Sequence, residues 1–90
     1  MITINVKDPS KTMFNEIDDP GIKRIKLALS RSGKNLGAEV PIKLDTILDV
    51  HIYLFEIYKK PAWSIKGIGI ESIILLNKIF REYGLSTIEL

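Results

Sequence analysis

Residues 46–60 read TILDVHIYLFEIYKK, and the fold turns on whether they form a helix or a strand. As a helix, Asp49, Tyr53, Glu56 and Lys60 recur at spacings of 4, 3 and 4 and share one polar side. Thr46 and Asp49 stand at the spacing of a capping box, with aspartate in place of the usual glutamate. Lys59-Lys60-Pro61 is a stop: cations suit the C-terminal end of the helix dipole, and proline cannot continue the helix. As a strand, Leu48, Val50, Ile52 and Leu54 share a face and the β-branched content is favourable, but Glu56 breaks the parity. The helix is preferred, and 46–57 stays open between the two.

Downstream, Ala62–Gly69 reads as a loop or short strand. From Ile70 to Tyr83 the pattern is helical. Ile73, Leu76, Ile79, Phe80 and Tyr83 fall within roughly 120° of arc at about 100° per residue. Glu71, Asn77, Lys78, Arg81 and Glu82 fall on the other side, and Ile74 and Leu75 lie off the main stripe. Gly84 stands where a left-handed residue ends a helix, and Leu85 can cover the last turn. Residues 86–90 alternate and predict a short strand.

Upstream, Leu36, Ala38, Val40 and Ile42 alternate as a strand, which Pro41 places at an edge or near its end. Asp19 as cap and Pro20 at the first position announce a helix over about 20–32, burying Ile22, Ile25 and Leu29 and ending at Gly33. The strand reading of 22–30 is nearly as good, because Ile25, Leu27 and Leu29 alternate with Arg24, Lys26 and Ala28. It would pair with 36–42 through a turn at Arg31–Asn35. Met13, Phe14 and Ile17 suggest one or two helical turns, and Ile2–Val6 alternates as a strand closed by Asp8-Pro9-Ser10.

Ninety residues, 46% hydrophobic, predict one compact domain over residues 1–90. The expected class is α+β: a short mixed or antiparallel sheet packed against two or three helices. A ferredoxin-like βαββαβ order follows if 46–57 is a strand. The chain has no cysteine, which excludes disulfides, thiolate zinc sites and thiol catalysis. No apolar run reaches the ~18–20 residues of a membrane span. The opening MITINVKDPS lacks the pattern of a secretory signal, so no membrane and a cytoplasmic location are expected.

Charge is segregated although the net value is only +2. Residues 20–38 carry Lys23, Arg24, Lys26, Arg31 and Lys34 and no acid, a band suited to phosphates. No aromatic interleaves these cations, so the band offers no stacking platform. As a solvated face it would simply balance acidic segments elsewhere.

Ile65-Lys-Gly-Ile-Gly69, followed by a helix, resembles the hairpin of the helix-hairpin-helix motif. The resemblance implies backbone N–H groups at Gly67 and Gly69 approaching a nucleic-acid phosphate, with Lys66 as a direct contact. That motif usually has a small residue where this chain has Ile73, and a plain glycine turn before a helix accounts for the same residues.

His51, the only histidine, has no carboxylate at helical i±3 or i±4 and reads as a satisfied core or boundary residue. Asp18, Asp19, Asp45 and Asp49 are explained without chemistry, in part as caps. No catalytic site, metal site or cofactor is expected. Two functions follow. One is a non-enzymatic nucleic-acid-binding module that contacts DNA or RNA phosphates through the band, Lys66, Gly67 and Gly69. The other is a protein–protein or assembly module, a homo-oligomer, meeting its partner through Trp63, Ile74 and Leu75.

Overall fold

In the computed structural model, which describes residues 8–35 and 43–89, the chain is helical. Helix α1 spans Gly21–Asn35, α2 spans Ile47–Ile52 and α3 spans Ile70–Glu82. Single 3₁₀ turns lie at Phe14–Glu16 and Ala62–Ser64. Among the described residues there is no strand, only an isolated antiparallel bridge between Met13 and Thr46. The expected α+β class is therefore corrected to all-α. The strands expected over 2–6 and 36–42 lie outside the described residues.

Residues 46–57 are helical because their ends are satisfied locally and one side is buried. The Thr46 hydroxyl accepts the Asp49 N–H and the Asp49 carboxylate accepts the Thr46 N–H, each at 3.1 Å, a complete capping box. Ile47, Val50, Tyr53 and Leu54 are buried, a helical spacing that a strand cannot present to one core. Tyr53, expected on the polar side, is wholly buried, and its hydroxyl bonds the buried Ser32 hydroxyl of α1 at 2.8 Å. Burial also holds its phenol above the usual pKa. At Tyr53–Ile57 the helix widens into one π turn, closed by the Tyr58 N–H on the Tyr53 carbonyl at 2.8 Å. It stops at Lys59, whose φ of +56° is left-handed, two residues before Pro61.

The helical reading of 22–30 holds. Ile22, Ile25, Ala28 and Leu29 are buried and Leu27 is 52% exposed. The Asp19 carboxylate accepts the Gly21 N–H at 2.8 Å, as its capping role requires. Gly33 does not end the helix, which runs on to Asn35. Neighbouring Ser32 is buried and bonded to Tyr53, so tertiary contact outweighs the ~1 kcal/mol helix penalty of glycine.

In α3 the stripe Ile73, Leu76, Ile79 and Phe80 is buried as expected. Its end is a Schellman stop: Leu85 N–H bonds Phe80 O at 2.8 Å and Gly84 N–H bonds Arg81 O at 3.2 Å, with Gly84 at φ +71°. Two expectations fail beyond it. Asn77 is buried, not polar-side, and residues 86–89 form no strand. The two errors have one cause. The Asn77 amide donates to Ile88 O at 2.9 Å and accepts Ile88 N–H at 2.6 Å. A side chain thus takes the place that a neighbouring strand would have filled.

The core joins Phe14 and the buried faces of all three helices with Leu44, Ala62, Ile65 and Ile68. Phe14 N–H bonds Asp45 O at 2.8 Å and Ile47 N–H bonds Thr12 O at 3.0 Å, fixing the N-terminal turn to the start of α2. No helix among the described residues is long and apolar enough to cross a membrane.

Candidate functional site

The segment between α2 and α3, residues 58–69, is built to project side chains. Ala62 and Ile65 are buried and anchor it. Ser64 N–H and Ser64 Oγ donate to Pro61 O at 2.9 and 2.7 Å. The serine proton being spent there, Tyr58 is the donor in the 2.8 Å bond between its hydroxyl and Ser64 Oγ. At Gly67, φ is +97° and Ile68 N–H bonds Ile65 O at 3.0 Å; a left-handed third residue in such a turn calls for glycine. A Cβ there would lie 3.2 Å from Ala28 Cβ, so the turn sits directly against α1.

This packing brings two distant cationic segments together. Arg31 of α1 and Lys60 and Lys66 of the connecting segment line one cavity of about 400 Å³, with the hydroxyl-bearing residues Ser32, Tyr58 and Ser64 and a floor of Ala28 and Ile65. Among the described residues no acid lines it, and none of the three cations has a carboxylate partner. A concavity lined by one sign of charge focuses its field on an incoming counter-ion.

The rest of the basic band is divided. Lys23 and Lys26 flank the exposed Leu27 in a separate, shallower depression with Asn15 and Ser30. Arg24 and Lys34 are exposed, but neither lines the cavity. Of the five cations, the cavity takes only Arg31.

A second concavity, about 500 Å³, adjoins the first through Lys60, which lines both. Its walls include Phe55, Trp63, Lys59 and Pro61, with Ile88 and Glu89 of the C-terminal tail. Trp63 is 61% exposed, between buried Ala62 and, two residues on, buried Ile65. Phe55 stacks on His51 at 4.1 Å, and His51 meets the buried Phe80 edge-on at 4.8 Å. His51 Nε2 also bonds Ser86 O at 3.1 Å, and burial lowers its pKa below the ordinary value. The histidine is a packing and tethering residue. Among the described residues no group of three or more His, Asp or Glu could hold a metal.

In the hairpin-like segment, residues 65–69, Lys66 lines the cavity, but the Ile68 N–H is committed to Ile65 O. Gly67 serves the turn against α1. Gly69 caps α3 with no side-chain bond, and a Cβ there would meet nothing within 4 Å. Of the expected interface residues, Trp63 and Ile74 are exposed. Leu75 is half-buried against the core, its Cδ2 3.0 Å from where a Gly21 Cβ would stand.

Lys60, which lines both concavities, is not among the site residues expected from the sequence. In the sequence it reads as part of the helix stop Lys59-Lys60-Pro61. The signal was present in Lys59-Lys60-Pro-Ala-Trp63-Ser-Ile-Lys66, where cations do alternate with an aromatic. Comparison with protein families, with curated proteins and with solved structures finds no match to this chain.

Proposed function

We propose that this chain is a non-enzymatic nucleic-acid-binding module that grips phosphates at the Arg31, Lys60 and Lys66 cavity. One observation carries the reading: three cations from two distant segments line one concavity that, among the described residues, no carboxylate lines. The hydroxyls of Tyr58 and Ser64 add neutral donors and acceptors at the same place. Such contacts position a phosphodiester backbone without reading bases.

The test is binding to labelled DNA and RNA at two salt concentrations. Three neutralised phosphates predict a loss of roughly 20- to 40-fold between ~50 and ~200 mM salt. Arg31→Glu with Lys66→Glu should abolish binding, whereas Lys23→Glu with Arg24→Glu should weaken it only through long-range charge. Binding that is indifferent to the first pair and lost with the second would move the site to the outer face of α1.

The second reading, a homo-oligomer, is favoured by Ile70 and Ile74, which lie one turn apart on α3 and are 63% and 56% exposed. Light scattering of the wild type beside Ile74→Asp decides it: a stable oligomer that the aspartate dissociates supports this reading.

A further inference from the structure

We infer that the nucleic acid held at the cation-lined cavity is single-stranded, with one base stacked on Trp63 in the adjoining groove. The inference rests on the function proposed above and specifies its ligand. Lys60 lines both concavities, so a phosphate at Lys60 places its own nucleotide beside Trp63. An unpaired base has an open π-face to offer an aromatic ring; a duplex keeps its bases stacked on one another.

Trp63 is suited to this by its mounting. It lies 61% exposed in a 3₁₀ turn flanked by Ala62 at 5% and, two residues on, Ile65 at 4%. The turn is closed by the Tyr58–Ser64–Pro61 hydrogen bonds. The indole is therefore presented by a fixed backbone, so little ordering is needed on binding. Phe55, 38% exposed and stacked on His51, supplies a second ring in the same groove. Lys59 and Lys60 line the groove with these rings, against one carboxylate among the described residues, that of Glu89. Aromatic rings beside a continuous cationic surface are the combination that holds single strands without sequence preference.

Trp63 is the only tryptophan, so its emission reports on this groove alone. The experiment titrates the full chain with oligo-dT and oligo-U of roughly ten nucleotides, within the ~4–16 that such surfaces cover. The same sequences as duplexes and polyglutamate of equal charge serve as comparators. Quenching of Trp63 emission by the single strands, and a roughly tenfold or greater loss of affinity in Trp63→Ala that Trp63→Phe largely restores, supports the inference. Trp63→Ala should leave the melting temperature unchanged, because the side chain lies outside the core. Equal binding of single strands and duplexes with no change in Trp63 emission overturns the inference and leaves the phosphate-binding function standing. Equal competition by polyglutamate overturns it in favour of an acidic protein partner. No binding of any nucleic acid by the wild type overturns both.

Discussion

At its C-terminal end α3 closes on itself, and at its N-terminal end it does not. Gly84 and Leu85 satisfy the last carbonyls, Asn77 holds the backbone of Ile88 on both its donor and its acceptor, and His51 holds Ser86. Every device there acts on the chain itself. At the other end, Gly69 provides no side-chain cap, and the cations Arg31, Lys60 and Lys66 line one cavity with no acid among the described residues. The first region uses its polar groups for folding. The second leaves them available, at a cost in stability, and such regions are where binding is found.

The largest effect that sharpens this contrast is at Asn77. Asn77→Ala removes two hydrogen bonds and opens a hole beside Ile88, and should cost about 2–3 kcal/mol. Chemical denaturation measures the loss, and the tail's amide protection should fall with it. Phosphate binding should be unchanged, because Asn77 does not line the cavity. A variant that loses binding in proportion to the tail would erase the distinction between the two ends.

The next effect compares two glycines at positive φ. Gly67→Ala meets both strain and the 3.2 Å approach to Ala28, and should cost about 2 kcal/mol. Gly84→Ala has strain but open space, and should cost about 1 kcal/mol. Thermal melts rank the two. Gly67→Ala should also weaken nucleic-acid binding, since it moves Lys66 away from Arg31; Gly84→Ala should not.

The sequence showed the closed end of α3 well and the open end poorly. Gly84, the buried stripe and the Thr46–Asp49 box are local patterns that repeat wherever a helix starts or stops. Asn77 was misplaced because its partner, the backbone of Ile88, lies eleven residues away and carries no side-chain signature. The same gap produced the false strand at 86–90: alternation records that a segment is extended and half-buried, but not whether a strand or an amide completes it. The α+β class rested on that strand and on 2–6 and 36–42, which lie outside the described residues. At the site, Arg31, Lys66 and Trp63 were legible as residue types. Their juxtaposition was not, because it depends on Gly67 packing on Ala28, a contact between residues thirty-nine positions apart.

The smallest expected effect falls at Gly69, where stability and binding should move in opposite directions. The backbone there, φ −101° and ψ −175°, is open to any residue, and an added Cβ meets nothing. Glycine is thus not required by the fold. Gly69→Asp supplies the missing cap to the first turn of α3 and a favourable charge for its dipole, and should stabilise the chain by a few tenths to about 1 kcal/mol. The same carboxylate occupies N–H groups and repels phosphate, so affinity for single strands should fall several-fold if the ligand reaches the start of α3. Gly69→Ser separates the two contributions, since it caps without charge. A gain in stability with unchanged affinity in both variants would confine the site to the cavity and the Trp63 groove. The open end of α3 would then be an unfinished cap rather than part of the binding surface.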